Sequence, residues 1–146
     1  KLQKQIDIIG GLQKIYFATY YGDLRKGTFE EIDSPDYIRE LITGQGSIVD
    51  GFNSFLNQAV KPTSRQLVAD FINPQTLNTR LRHTDIITQE YEGIFHGWCR
   101  ASFVVASRDD AGNVVSLIFA VSDIENQVRE EKARKEELAK ALAEAE

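Results

Sequence analysis

The stretch Gly97–Asp123, GWCRASFVVASRDDAGNVVSLIFAVSD, decides the fold of this chain. Two runs rich in Ile, Val, Phe and Trp, Gly97–Ser107 and Asn113–Asp123, flank a connection of turn-forming residues. A third run of the same character, Ile86–Glu92, comes shortly before them. The three runs predict consecutive antiparallel β-strands joined by short turns.

Alternation along these strands divides the side chains into two sets, because successive residues of a strand point to opposite faces of a sheet. In the second strand one set is Trp98, Arg100, Ser102, Val104 and Ala106, and the other is Cys99, Ala101, Phe103 and Val105. In the third strand Val115, Leu117, Phe119 and Val121 share one face, and Ile118 and Ala120 lie on the other. Both faces are largely apolar, so we expect both to be covered.

The residues before this region predict a hairpin followed by short helices. Aromatic and β-branched residues in Ile15–Ile32 surround the polar connection Asp23–Gly27, which indicates two strands and a turn. Ser34-Pro35 and Asn73-Pro74 each combine a helix-capping side chain with proline at the first helical position. Between them, Phe52 to Ala59 has apolar residues at helical spacing. Helices this short need tertiary support, so we expect them to lie on the sheet.

Both ends of the chain are predicted to be helical. Lys1–Lys14 carries one apolar stripe, and Asn126–Glu146 is charged and rich in alanine, without glycine or proline. From the last strand into the C-terminal helix, one set of residues recurs at spacings of three and four, as in a coiled coil. The seam is formed by Val121, Ile124, Val128, Glu131, Lys135, Leu138, Leu142 and Ala145. The alternative to a paired coiled coil is a single solvated helix.

Composition excludes several classes of function. The 146 residues include 17 basic and 22 acidic side chains, for a net charge of −5, which argues against nonspecific nucleic-acid binding. No apolar run approaches the roughly 20 residues that span a bilayer, and no secretory signal opens the chain. We therefore expect a cytoplasmic module without membrane contact in this fragment. Since the sequence begins at Lys1 and lacks methionine, we expect it to be part of a longer protein.

The order of these elements and three motifs resemble a PAS sensor domain over Gly11–Glu125. Tyr16–Asp23 is similar to the first strand of that family, which ends in an aspartate. Arg108–Gly112 resembles the "RD-x-x-G" turn of the family, and Ala120–Glu125 resembles its closing "DIT" signature, with glutamate in place of threonine. The segment Gly97–Ser102 is similar to PAS domains that precede diguanylate cyclase (GGDEF) or histidine kinase units in bacteria.

This resemblance implies an α+β fold, a five-stranded antiparallel sheet with short helices on one face. It divides the chain into an N-terminal helix (1–14), a sensor domain (15–123) and a C-terminal signalling helix (124–146). It implies a non-catalytic sensory and dimerisation module, paired as a homodimer through its terminal helices, with an output domain in the same chain. Asp123, Ile124 and Glu125 would form the junction through which a signal leaves the domain.

The family pattern also implies a pocket between the sheet and the short helices, for an unidentified small-molecule ligand. That face should carry Ala18, Tyr20, Arg100, Ser102, Val104, Leu117, Phe119 and Val121. Of these, Tyr20, Arg100, Ser102 and Phe119 are the ligand-pocket candidates. Arg100 would bind an anionic group of the ligand, or else form a salt bridge with one of the many acidic side chains.

We predict no haem, flavin or metal, although a haem- or flavin-binding sensor is an alternative. His83 follows the predicted helix at Asn73-Pro74, near the iron ligand of haem-binding relatives, but a histidine there also suits a helix C-terminus. His96 lies between two glycines and is predicted to be solvated. Cys99 lies within a strand, unlike the helical photoreactive cysteine of flavin-binding relatives, so we expect a core residue.

A second alternative is a small cone-shaped α+β enzyme with acid–base chemistry in an apolar cavity. Such an enzyme needs a carboxylate or histidine deep in the cavity. The candidate acids are Glu30, Glu31 and Asp33 after the second strand and Asp109 and Asp110 in a turn, where acids are usually solvated. The sequence shows no nucleophile with its base, so we predict no catalytic residues.

Overall fold

The computed structural model describes residues 17–33 and 45–145. The predicted helices at Lys1–Lys14 and after Ser34-Pro35 lie outside these residues. The strands are β1 Ala18–Asp23, β2 Thr28–Asp33, β3 Gln45–Ser47, β4 Ile86–Gly93, β5 Gly97–Arg108 and β6 Val114–Asp123. The helices are α1 Ile48–Ala59, α2 Arg65–Phe71, α3 Pro74–Arg80 and α4 Glu125–Ala145, with a single 3-10 turn at Pro62–Ser64.

The strands form one antiparallel sheet in the order β3-β2-β1-β6-β5-β4. The predicted hairpin is β1–β2 and the predicted meander is β4–β5–β6, and both are confirmed, as is the α+β class. The described part of the sheet has six strands rather than five, because Gln45–Ser47 pairs with β2. This strand was missed because three residues without a β-branched or aromatic side chain carry no strand signal.

Register between β5 and β6 determines which side chains face the helices. Phe103 pairs with Phe119, and Ala101 pairs with Val121, so these four share one face. Phe103 is fully buried, stacks on Phe71 with ring centroids 5.0 Å apart, and packs against Phe119 at 5.1 Å. Burial of a phenylalanine contributes about 1.5–3 kcal/mol, so this aromatic cluster is the centre of the core.

The three short helices cover that inner face of the sheet. Phe55 and Ala59 of α1 and Val68 of α2 are buried against it. Helix α3 begins as the sequence predicts, since Asn73 Oδ1 accepts a hydrogen bond from the Gln75 N–H at 3.0 Å. The helices thus gain from sheet packing the stability that their length does not supply.

The turn between β5 and β6 is held by Arg108, the last residue of β5, and by Asp109, the first residue of the turn. Arg108 donates to the Leu81 carbonyl oxygen at 2.7 Å and to Asp85 Oδ1 at 2.9 Å, which ties the turn to the segment after α3. Asp109 Oδ1 accepts from the Asn113 N–H at 2.9 Å. That hydrogen bond is the main reason that the pKa of Asp109 lies below its ordinary value.

Helix α4 leaves the domain directly after β6. Ile124, just before the helix, is 2% exposed, whereas within the described stretch Glu125–Ala145 no side chain is buried. Its 21 residues correspond to about 30 Å of helix. Over residues 17–33 and 45–145, no helix is both long enough and apolar enough to cross a bilayer.

Candidate functional site

A small apolar cavity lies between the sheet and α1. It is lined by Tyr20, Gly22, Phe29, Ile48, Gly51, Phe52, Phe55, Leu117 and Phe119. Its volume is about 30 Å³, and one enclosed water needs roughly 10–15 Å³. Of the predicted pocket residues, Tyr20 and Phe119 are brought together here. A cavity of this size and lining suits a small apolar molecule, and a haem or flavin would have to displace several aromatic side chains.

The contact between Phe29 and Gly51 closes one side of this cavity. A Cβ atom at Gly51 would lie 2.5 Å from Phe29 Cε1, so the helix reaches the ring only because this residue is glycine. The Phe29 ring in turn packs edge-on against Tyr20, with centroids 5.8 Å apart. This side of the cavity therefore depends on the close approach of α1 to β2.

A second cavity of about 20 Å³ lies nearer to the turn between β4 and β5. It is lined by Phe17, Ala18, Tyr20, Phe55, Ala59, Tyr91, Gly93, Phe95, His96, Cys99 and Val121. Burial is the main reason that the pKa of the Cys99 thiol rises to about 11, so the thiol is protonated at neutral pH. Cys99 is 1% exposed, as expected of a core residue. Neither cavity has a carboxylate among its described lining residues.

Arg100 and Ser102 do not line these cavities, contrary to the prediction. Arg100 pairs with Ser122, and Ser102 pairs with Ala120, so both lie on the outer face of the sheet, as does Val104. The alternation along each strand is as predicted, but the two strands are matched with an offset of one residue, which reverses the face.

Arg100 and Ser102, which were predicted to line the pocket, have different environments on the outer face. Arg100 donates to Glu90 Oε2 at 2.8 Å, so the salt-bridge alternative describes it correctly. Ser102 is 1% exposed, and its Oγ has no hydrogen-bond partner among the described residues. Neither side chain is placed to contact a molecule in the inner cavities.

The junction residues Asp123, Ile124 and Glu125 are fixed to the start of β5. The Ile124 N–H donates to the Trp98 carbonyl oxygen at 3.0 Å, and the Trp98 N–H donates to Glu125 Oε2 at 2.8 Å. Asp123 Oδ1 accepts from the Glu125 N–H at 2.9 Å. Glu125 thus binds the backbone of the neighbouring strand β5.

Gly97 makes the contact of Glu125 possible. Its φ of +72° favours glycine, and a Cβ atom there would lie 2.6 Å from Glu125 Oε2. Arg129, one turn along α4, is 3.6 Å from Glu125 Oε1. The carboxylate of Glu125 therefore holds the first turn of α4 against the start of β5.

His96 connects this junction to the second cavity and was missed as a site residue. Its ring stacks on Phe17 with centroids 4.1 Å apart, and its Nδ1 is 3.3 Å from Asp123 Oδ2. Its side chain is only 26% exposed, so the prediction of a solvated histidine is wrong.

His83 is exposed, beyond the end of α3. Across 17–33 and 45–145, no three or more His, Cys, Asp or Glu side chains form a cluster that could hold a metal ion.

Comparisons with known proteins find similarity only among solved structures. No family model matches the sequence, and no curated protein matches it. The N-terminal domain of a diguanylate cyclase with PAS/PAC sensor from Marinobacter aquaeolei has a TM-score of 0.48 at 19% identity, covering 75% of this chain and 96% of its own. A sensory box histidine kinase/response regulator from Burkholderia thailandensis has a TM-score of 0.48 at 17% identity, covering 84% and 90%.

Proposed function

We propose that this chain is a non-catalytic sensory and dimerisation module of a cytoplasmic bacterial signalling protein. Its helix α4 would pass a change in the domain to an output domain in the same chain, a diguanylate cyclase or a histidine kinase. The observation that carries the proposal is the direct passage of β6 into α4 across Asp123–Glu125, in which Ile124 and Glu125 are both hydrogen-bonded to the backbone of Trp98. The first cavity, which includes the predicted pocket residues Tyr20 and Phe119, has neither a carboxylate nor a histidine among its described lining residues, which favours a sensory over a catalytic role there.

The mechanism would be a shift between two arrangements of the domain and its helix. A small apolar molecule in the cavity beside Phe119, or a change of partner packing, would favour one arrangement. Only a difference in affinity between the two arrangements can produce such a shift. The second cavity shares Tyr20 and Phe55 with the first, and its lining residue His96 lies 3.3 Å from Asp123 Oδ2, so the two cavities and the junction are neighbours along which a change would pass.

A substitution that occupies the first cavity tests this route. Gly22 lines that cavity, and a Cβ atom there would lie 3.2 Å from Leu117 Cδ1. Gly22→Ala should therefore shift the cavity wall and change the emission of Trp98, the chain's one tryptophan, at the junction. The exposed turn substitution Lys26→Ala is the control and should leave the emission unchanged. Identical Trp98 emission in all three proteins would contradict transmission from this cavity.

Homodimerisation through α4 is the second part of the proposal. Leu138 and Leu142 are 60% and 61% exposed, and an isolated helix of this length is marginal in water. Sedimentation equilibrium of the whole chain should show a dimer, which Leu138→Ala/Leu142→Ala weakens by about tenfold or more. Lys140→Ala, on the opposite side of the helix, should not. A monomer at every concentration would refute this part.

Absorption spectroscopy tests the alternative of a haem or flavin sensor. We propose that the purified protein absorbs only in the band of its aromatic side chains, because the first cavity holds only about 30 Å³. A Soret band or a flavin band that follows the protein through gel filtration would overturn this part of the proposal.

A further inference from the structure

The side chain of His96 connects the β4–β5 turn to the start of α4. Its Nδ1 lies 3.3 Å from Oδ2 of Asp123, and Oδ1 of the same carboxylate accepts a hydrogen bond from the Glu125 N–H at 2.9 Å. One carboxylate therefore serves two elements, since it contacts the imidazole of the turn and caps the helix. A change in the charge of His96 acts directly on the residue that caps α4.

The strength of the contact between His96 and Asp123 depends on the protonation of the imidazole. Histidine is the side chain whose charge ordinarily changes between about pH 5 and pH 8, above the range in which carboxylates titrate. A neutral imidazole can donate to Asp123 only in the tautomer that carries its proton on Nδ1, whereas an imidazolium carries a proton on both nitrogens. Protonation therefore converts a hydrogen bond that depends on the tautomer into a stronger ion pair.

The aromatic ring that stacks on His96 favours the same charge state. Phe17 lies over the imidazole with ring centroids 4.1 Å apart and ring planes inclined by 27°. A cation over the face of an aromatic ring within about 6 Å is attracted by that ring, and the attraction grows as the pair is removed from water. The His96 side chain is 26% exposed, so this pair is partly shielded from solvent. The contacts with Asp123 and with Phe17 thus both become stronger when the imidazole is protonated.

The charged groups that share the surface groove with His96 are two carboxylates and one guanidinium. They belong to Asp123, Glu125 and Arg129. Arg129 lies 3.6 Å from Glu125 Oε1, so the guanidinium is already paired with a carboxylate. The positive end of α4 and the partial burial of the ring oppose a charge on His96. The helix end carries roughly half a unit charge, whereas the carboxylate in contact with the ring carries a full one, so the balance favours the imidazolium.

On the side of the second cavity, the described neighbours of His96 keep their charge in this pH range. The other titratable residues that line the cavity are Tyr20, Tyr91 and Cys99. Burial raises the pKa of Tyr91 well above its ordinary value and the pKa of Cys99 to about 11. Phenols and thiols ordinarily ionise above about pH 8, so these groups stay neutral while histidine titrates. Among the described residues that line this cavity and the groove, His96 is therefore the group that titrates near neutral pH.

We propose that His96 and Asp123 form a pH-sensitive contact, which tightens the attachment of α4 to the β4–β5 turn when His96 is protonated. The contact is strongest at the acidic end of the histidine range and weakens as the pH rises through that range. Its effect on signalling rests on the proposed function, in which α4 carries the output, whereas the contact itself rests on the described geometry. A proton is then a signal that this domain reads without a ligand in either cavity.

Hydrogen–deuterium exchange of the whole chain tests the contact at the amides of Ile124, Glu125 and Val128, which donate hydrogen bonds at this junction. Their protection factors, corrected for the intrinsic pH dependence of exchange, should rise about twofold to fivefold between about pH 8 and about pH 5.5, as expected of a partly exposed ion pair. His96→Gln does not titrate and should lose this rise. His83→Gln, at the exposed histidine beyond α3, is the matched control and should keep it.

A second variant, Asp123→Asn, separates the pH-sensitive contact from the capping of the helix. Asparagine caps a helix about as well as aspartate, so the bond from the Glu125 N–H is kept while the charge opposite His96 is removed. Protection in this variant should be close to that of the original protein at about pH 8 and should not rise at lower pH. Equal protection at both pH values in the original protein, or a rise that survives in either variant, would overturn the inference. Neither result affects the proposed function, which Trp98 emission in Gly22→Ala tests separately.

Discussion

The inner face of the sheet and helix α4 adjoin each other at Asp123–Glu125 and differ in almost every physical respect. Phe103 on the inner face is fully buried and contacts three other aromatic rings, whereas Leu138 on α4 is 60% exposed. Helix α1 gains stability from the sheet, whereas α4 is held to the domain at its first turn. The contrast teaches that the stability of the fold and the proposed passage of a signal depend on separate regions, which meet at the contact of Glu125 with the start of β5.

The largest effect is expected on the inner face. Phe103→Ala should lower the free energy of unfolding by about 3–5 kcal/mol, because it leaves a cavity among packed aromatic rings. Val49→Ala, at a position 54% exposed on α1, is the control and should change stability by less than about 0.5 kcal/mol. Urea denaturation followed by circular dichroism measures both. Equal losses of stability for the two substitutions would show that burial on the inner face does not determine the stability of the domain.

A smaller loss is expected where α1 meets the edge of the inner face. Gly51→Ala should destabilise the domain by about 1–3 kcal/mol, since the added methyl group forces the Phe29 ring to move. Asn53→Ala, exposed on the same helix, is the matched control. If Gly51→Ala is neutral or stabilising in urea denaturation, the Phe29 ring moves aside at little cost in stability, contrary to what its close contact with Gly51 indicates.

The inner face was predictable from the sequence in its elements but not in its register. Runs of β-branched and aromatic residues predict β5 and β6, and the turn composition predicts where they reverse. Alternation then assigns Phe103 to one face of its strand and Phe119 to one face of the next. Which faces coincide depends on hydrogen bonding between the strands, and a shift of one residue exchanges them. Arg100 and Ser102 were therefore assigned to the wrong side.

The junction was predictable in position, whereas its contacts were not. The predicted passage from strand to helix lies where β6 ends and α4 begins, within the segment Ala120–Glu125 that resembles a known signature. The bond from the Trp98 N–H to Glu125 joins residues 27 apart, and so does the contact of His96 with Asp123. No local pattern encodes such pairs. The glycine at position 97 was the one available signal, since a required glycine often marks a close approach.

An intermediate effect is expected at the junction itself. Glu125→Gln keeps an acceptor for the Trp98 N–H but removes the charge, and should lower stability by about 1 kcal/mol. It should also increase amide exchange in the first turn of α4, because that turn loses its anchor. Glu130→Gln, exposed on the same helix, is the control. Hydrogen exchange that is unchanged at residues 125–128 would show that α4 is anchored by some other contact.

The smallest effect concerns acid, and it should arise outside both regions. The pKa of Asp109 is lowered in the folded protein, chiefly by the hydrogen bond from Asn113. Its stabilising contribution is therefore complete above the ordinary aspartate pKa of about 3.9 and is lost as the pH falls through the lower folded value.

Asp109→Asn should accordingly flatten the loss of stability in this acidic range, because asparagine does not titrate. Asp110→Asn, one residue along the same exposed turn, is the matched control, and urea midpoints measured from neutral to acidic pH compare the two. Since the buried lining of the inner face carries no carboxylate, acid should loosen the β5–β6 turn before it disturbs the aromatic core. Parallel acid profiles for the original protein and Asp109→Asn would show that the carboxylate of the turn does not couple to folding.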